Sequence, residues 1–352
     1  MRALQGHWQR LEMKEDIMRR SRTNAVWSNL ACAILMAACG GEKATGPSAM
    51  SPTSAQAQNA PLATSPPKAI DPNLVASITG AKPEQADGTV KVSFPRTDVA
   101  VDVDGWSNLP PFMGLTSWAA FTPGEKPGVE AMVMGDLVVF EDEVNPVMSA
   151  LLDHGVEVTA LHNHFFFDKP HVFFMHIGGE GSVDGLAKGV RAALDEEKTL
   201  RAKSAQPQAT FGAGTLPTPS HIDATKLDAA FGIKGNAKDG MYKATFGRKA
   251  TAACGCTVGK AMGVNTWAAF AGSDESAVVD GDFAVAEGEL QPVLKALRAG
   301  GINIVAIHHH MTGESPRILF LHYWGRGASS RLAKTVKAAL DLTAWDRPAS
   351  SL

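Results

Sequence analysis

The chain is poor in several features that assign proteins quickly. Four cysteines occur in 352 residues, too few for a disulfide-stapled scaffold. Aromatic residues make up only 7%. There is no basic surplus: 33 Lys and Arg face 36 Asp and Glu, a formal charge of −3. That balance argues against a nucleic-acid partner. The apolar run at residues 29–38 falls well short of the ~20 residues of a permanent membrane helix. No phosphate-cradling glycine loop, dinucleotide fingerprint, nucleophile elbow or HExxH zinc helix occurs, so no nucleotide cofactor is expected. What is present, 45% hydrophobic and 20% charged residues, suits one large or two ordinary domains with real cores rather than a disordered chain.

The first forty residues read as an address. Arg19, Arg20 and Arg22 precede the apolar run, and Leu35-Met36-Ala37-Ala38-Cys39 closes it. This is the order of an export signal, and the last five residues resemble a bacterial lipobox with Cys39 as the lipidated residue. Residues 1–38 are therefore expected to be a lipoprotein signal peptide, with Met18 as an alternative start. A plain cleaved signal with an incidental Cys39 is the other reading. Residues 39–70, rich in Ala, Ser, Pro, Thr and Gln, make a flexible tether. The expectation is an exported chain anchored in the bacterial cell envelope, held to the membrane by lipid on Cys39.

The body is one unit written twice. Gly114-Leu-Thr-Ser-Trp118-Ala-Ala-Phe121 returns as Gly263-Val-Asn-Thr-Trp267-Ala-Ala-Phe270. Further on, Gly135-Asp136 matches Gly281-Asp282, Pro146-Val147 matches Pro292-Val293, and His176 matches His322. Upstream, Phe94 and Arg96 match Phe246 and Arg248. The repeats run over 71–195 and 224–342, joined by a Pro- and Gly-rich linker at 196–223 and followed by a tail at 343–352. In each repeat, strand-like segments carry Phe94 or Phe246, then Trp118 or Trp267, then 131–140 or 277–285. A helix follows, with Val144, Val147, Met148, Leu151 and Leu152 (or Leu290, Val293, Leu294 and Leu297) on one stripe. Two more strands (156–164 and 172–177; 302–310 and 318–323) precede a last helix. This order predicts an α+β fold: two homologous repeats, each a mainly antiparallel sheet with two helices, packed with pseudo-twofold symmetry.

The histidines are clustered. Eight of eleven fall in windows 162–176 and 308–322. On a strand, residues i and i+2 share a face, so His162 points with His164 and His308 with His310. A hairpin brings His176 and His322 within diagonal reach of those pairs. A His-x-His pair with a third His from the neighbouring strand is a common three-nitrogen metal site, and imidazole suits Zn or Cu. Asp168 and Glu314 occupy equivalent loop positions. Each is a candidate fourth ligand, acceptor for a ring N–H, or catalytic base. The competing reading is structural: such histidines can bond carbonyls or stack on Phe165–Phe167 and Trp324. His171 is matched by Arg317 and is a weaker candidate; His309, His154 and His221 look incidental.

Other repeated residues have plainer explanations. A Gly within a strand often marks a bulge, which would account for Gly135-Asp136 and Gly281-Asp282, although an Asp there can also reach a site. Glu143 and Glu289 stand at helix starts, where the macrodipole favours acids. Trp118 and Trp267 are expected core anchors. Cys254-Gly255-Cys256 is open between a disulfide or free thiols and a soft-metal site.

The run of Trp-Ala-Ala-Phe, Gly-Asp, Pro-Val, Ala-Leu/Ile-His-x-His and a final His resembles the LppY/LpqO family of exported bacterial proteins over nearly all of 71–342. The resemblance implies tandem copies of a domain of unknown function in an envelope protein, often a lipoprotein. It carries no established activity. The His-x-His positions that match its pattern are His162, His164, His308 and His310. Two expectations follow. The first is a transition metal held by His162/His164/His176 and His308/His310/His322, for metal handling or a metal-dependent reaction, with hydrolysis the first candidate. The alternative is a ligand- or partner-binding envelope protein in which the cluster is structural.

Overall fold

The computed structural model describes residues 69–212 and 214–347; the expected signal peptide, Cys39 and nearly all of the expected tether lie outside them. The first repeat runs α1 (Pro72–Thr79), β1 (Glu84–Ala86), β2 (Thr89–Pro95), β3 (Asp102–Val103), β4 (Thr116–Pro123), β5 (Ala131–Phe140), α2 (Val144–Asp153), β6 (Glu157–His162), β7 (Asp168–Lys169), β8 (Val172–Gly181) and α3 (Val183–Lys203). The second runs α4 (Ala224–Phe231), β9 (Asn236–Lys238), β10 (Met241–Gly247), β11 (Ala250–Thr251), β12 (Thr257–Val258), β13 (Asn265–Gly272), β14 (Ala277–Ala286), α5 (Glu287–Ala299), β15 (Asn303–His308), β16 (Ile318–Gly327) and α6 (Ser329–Leu340).

The fold is α+β with two copies of one motif, as the sequence predicts, but the copies share a single sheet. Its twelve strands run β1-β2-β4-β5-β8-β6-β15-β16-β14-β13-β10-β9, a palindrome of the repeat. The two halves meet where β6 and β15 pair antiparallel at Leu161 and Ile307. Each repeat has three α-helices, not two. The extra ones, α1 and α4, are eight residues long, too short for a periodic stripe to reveal. Local chemistry delimits them instead: Asp71 and Asp223 accept N-terminal backbone N–H groups, and Gly80 and Gly232 close them in the left-handed conformation.

One face of the sheet meets the helices. The α2 and α5 stripes are buried there, with Leu151 and Leu297 fully so, and each such side chain contributes roughly 1.5–3 kcal/mol through burial. On the opposite, outer face the loops around 96–115 and 248–264 cover only part of the strands. They form two satellite cores, around Leu115, Val138 and Phe174 and around Val264, Ala284 and Phe320. The centre of the outer face stays open.

Several polar residues prove structural in ways their local sequence does not disclose. Glu143 is no exposed dipole acid but fully buried. It accepts from both Arg96 Nη atoms (2.8 and 3.0 Å) and from the Phe140 N–H, with Arg201 Nε 3.0 Å away. Glu289 does the same with Arg248 and the N–H groups of Ala286 and Ala344. The signal was the joint duplication of Arg96/Arg248 with these acids. Trp118 and Trp267 are not core anchors. They are half-buried on the outer face, with Lys91 and Lys243 Nζ 4.6 and 3.7 Å from the ring centroids. Gly135 and Gly281 lie in unbroken ladders, not bulges. A Cβ at Gly281 would stand 2.2 Å from the Tyr323 ring and 2.4 Å from the Trp267 carbonyl oxygen, so close approach requires glycine. The bulges fall instead between Val158 and Ala160 and between Ile304 and Ala306. Cys254 and Cys256 are joined by a disulfide.

The dyad is stitched by reciprocal amides. Asn145 of α2 accepts from Ile304 N–H (2.7 Å) and donates to its carbonyl (3.1 Å). Gln291 of α5 makes the same pair with Val158 (3.1 and 2.8 Å). Each amide stands in for a strand neighbour where β6 and β15 diverge. Asn145→Ala strands two buried backbone groups and should cost about 1–3 kcal/mol, read from urea unfolding; an unchanged midpoint would contradict this role.

Beside Arg96, Glu197 is fully enclosed, and burial pushes its carboxyl up to about 8 from the ordinary 4.5, against the pull of Arg96. Between those two values the folded chain holds a proton that the unfolded chain has released. Stability therefore falls as pH rises through this window and levels off above it. Glu197→Gln removes the effect. The variant should gain on the parent as pH rises from 5 to 8.5, by a difference of roughly 2 °C or more in Tm; a gap independent of pH would contradict it.

Candidate metal centre

The antiparallel register builds the site on the open outer face. Cross-strand pairing places Trp118, Asp136 and His176 in one row. The row continues to Ala160 of β6 and, through the Leu161–Ile307 pair, to His308 of β15. The mirror row runs Trp267, Asp282, His322, Ala306 and then His162. Both clusters therefore share one face of one sheet, and His162 and His308 stand diagonally across the dyad.

Within each repeat the three sequence-expected histidines come together. The His162 ring centroid lies 5.2 Å from His164 and 4.9 Å from His176. The second cluster repeats these distances for His308 with His310 and His322. His164 stacks on Phe174 at 3.6 Å and His310 on Phe320 at 3.5 Å, so the satellite cores fix the outermost ring of each set. His308 Nε2 is 2.9 Å from His322 Nε2, a hydrogen bond that needs one donor and one bare nitrogen. The rings lie 17–29° from parallel, side by side rather than aimed at one point. Accordingly, among the described residues no group of three or more His, Cys, Asp or Glu side chains forms a ready metal-holding set.

Asp136 and Asp282 complete the clusters. Each pairs across the ladder with the third histidine, and each keeps a buried Oδ1 with no hydrogen-bond partner. Asp282 is 5% exposed; its Oδ1 lies 4.0 Å from His322 Nδ1. Burial, then the neighbouring Asp280 charge, pushes its carboxyl up to about 7. Burial also raises Asp136, opposed by His176, His164 and His162. The imidazoles shift the other way: burial first, then neighbouring rings, lowers His164, His310 and His322. Lowered values favour the neutral form that ligates metals. Sequence reasoning undervalued these two aspartates, although the duplicated Gly-Asp was visible, because their contacts depend on register across three strands.

Asp168 and Glu314 hold the loops that carry the histidines. Asp168 Oδ2 accepts the Val172 N–H at 2.7 Å and Glu314 Oε1 the Ile318 N–H at 3.0 Å. His171 sits against Asp168, Nδ1 to Oδ1 3.0 Å, while its counterpart Arg317 lies 3.5 Å from Glu287. His309 is exposed, and His154 bonds the Ala150 carbonyl.

No curated protein matches the chain. Among solved structures it is similar to a trimeric bacterial microcompartment shell protein, PduB, at 15% identity over 74% of this chain and 89% of that one. The TM-score is 0.17, a likeness that carries no argument. The family described as Domain of Unknown Function (DUF1259) matches residues 73–196 and again 225–342, the two halves of the palindromic sheet, and the chain belongs to this family as a tandem pair.

Proposed function

We propose that this chain is an envelope lipoprotein of the LppY/LpqO type, anchored through Cys39, that binds a transition metal, Zn or Cu, at His162/His164/His176 with Asp136 and at His308/His310/His322 with Asp282. The observation that carries the reading is the grouping, in both repeats, of three neighbouring imidazoles with a buried carboxylate oxygen that has no partner. An unpaired buried carboxylate is costly, and a cation beside it removes that cost. Nitrogens bound at about 2.0–2.1 Å to one tetrahedral ion stand roughly 3.3 Å apart. The His308–His322 separation of 2.9 Å would open to that once both rings carry their proton on Nδ1, which bares both Nε2 atoms, with a modest side-chain rotation.

When bound, such an ion supplies Lewis acidity. The chain's own residues supply neutral imidazoles, a carboxylate able to take a proton near neutral pH, and an open approach from solvent. Metal handling needs no more than this; hydrolysis is the first reaction to assay. Asp168 and Glu314 orient the ligand-bearing loops in this reading.

A second reading has its own support. The His308–His322 hydrogen bond and the stacks on Phe174 and Phe320 suit a purely structural cluster in a ligand- or partner-binding protein. The untagged full chain should contain, or take up and retain after desalting, one to two equivalents of metal by elemental mass spectrometry. His162→Ala with His164→Ala should remove one equivalent with the circular dichroism unchanged. A double variant that keeps all its metal, or that unfolds while the parent never bound any, favours the structural reading.

The envelope assignment is tested separately. Cys39→Ser should abolish incorporation of labelled fatty acid and move the chain from the detergent to the aqueous phase. An unchanged detergent partition would overturn the anchor.

A further inference from the structure

One cavity breaks the symmetry of the two repeats. It measures about 240 Å³ and lies where β15 begins, between the start of α2 and residues 208–211 of the linker. Three aromatic residues line it: Phe173 of β8, Trp324 of β16 and Phe211 of the linker. Glu141 and Asp142 line it too, and among the described residues no Lys, Arg or His does. At the dyad-related places Phe173, Trp324 and Asp142 are replaced by Leu319, Gly178 and Gly288, and the linker has no counterpart. Asp142 holds the linker in place: its Oδ2 accepts the Gln208 N–H at 3.1 Å and pairs with Arg201, which is shared with Glu143 at 3.0 Å. The Asp142 side chain is only 9% exposed, yet its Oδ1 is enclosed without a hydrogen-bond partner, a state that a nearby cation relieves. The amides of the lining are already committed. Asn145 is bonded both ways to Ile304, and Asn303 accepts from Arg298 at 2.7 Å; Arg298 itself borders a separate cavity with Ser149 and Asp153. The lining therefore offers negative charge and aromatic rings but few free acceptors for N–H groups. A cation without N–H donors suits it better than an ammonium or a guanidinium.

We propose that this cavity binds a small quaternary ammonium compound, with its positive head among Phe173, Phe211 and Trp324 and near Glu141 and Asp142. Aromatic rings attract a cation through their quadrupole, more strongly where water is excluded. The same rings cover the methyl groups of the head, which gain from leaving water. Phe211 is 58% exposed, so apolar surface remains at the rim for the ligand to cover. The proposal does not rest on the metal reading and uses none of the cluster residues.

The test is calorimetric titration of the untagged full chain with choline, in the presence of a chelator so that metal at the histidine clusters plays no part. Saturable one-to-one binding is expected. The neutral analogue 3,3-dimethylbutan-1-ol, of the same shape without the charge, should bind about tenfold more weakly or worse. Trp324→Leu should weaken choline about tenfold, the scale of a cation–π contact shielded from water. Phe211→Ala and Glu141→Gln should each weaken it about threefold. Phe211 lies on the linker outside the core, so its truncation tests the site even if Trp324→Leu disturbs β16. Phe112→Ala, at a 96% exposed ring outside the cavity, should change nothing. Phosphocholine separates two sources of the same chemistry: weaker binding than choline assigns a free cation, and tighter binding a lipid headgroup. No saturable binding of choline, equally tight binding of the neutral analogue, or unchanged affinity in both ring variants would overturn the proposal. None of these results bears on the metal content of the chain, so the two readings fail separately.

Discussion

The pairing of β6 with β15 at Leu161 and Ile307 sets the geometry of everything that faces solvent at the centre of this molecule. Because side chains alternate along a strand, that pair turns Leu161 and Ile307 into the helix-covered core and His162 and His308 outward. A slip of one residue in this pairing would put the clusters of the two repeats on opposite faces of the sheet. The register is protected from both sides. Below the sheet, α2 and α5 pack their leucine and valine stripes against it. Beside the join, Asn145 and Gln291 extend reciprocal amides to the backbone of the opposite repeat. Two copies of a motif thus fold as one body with a continuous outer surface.

That surface explains why the polar residues divide into two kinds. Glu143 and Glu289 sit on the helix side and are saturated by arginines and backbone N–H groups. Their repetition reflects the packing of α2 and α5 rather than chemistry. Asp136, half-buried, and Asp282, buried, sit on the outer side, each with an enclosed Oδ1 that has no hydrogen-bond partner. A buried acceptor without a partner is rare in folded proteins, and here one recurs at the same place in both repeats, each time beside three imidazoles. The glycines that precede them let a neighbouring backbone and, on the helix-covered face, the Ile177 and Tyr323 side chains approach closely.

Much of this arrangement was legible in the sequence. The period-two spacing of His162 with His164 and of His308 with His310, and the hairpin return to His176 and His322, gave the clusters. The apolar stripes gave α2, α3, α5 and α6. What escaped depends on contacts between distant segments. The helices α1 and α4 are too short to show a period. Trp118 and Trp267 looked like core residues because bulk alone does not tell which face of a strand a ring occupies. Asp168 and Glu314 stand out in the sequence as candidate ligands or bases from their place in the histidine loops, and only the fold shows that one oxygen of each accepts the next strand's N–H group. The single sheet was hidden because two domains and one palindromic sheet share the same order of elements.

The account stands on the histidine and aspartate clusters being ligands, and X-ray absorption of the metal-loaded full chain tests that most directly. It predicts a first shell of nitrogen and oxygen at about 2.0–2.1 Å, the range for imidazole and carboxylate donors, with the outer-shell scattering of imidazole rings that is lost in the His162→Ala/His164→Ala/His308→Ala/His310→Ala variant. A spectrum without imidazole scattering, or one unchanged in that variant, would contradict it.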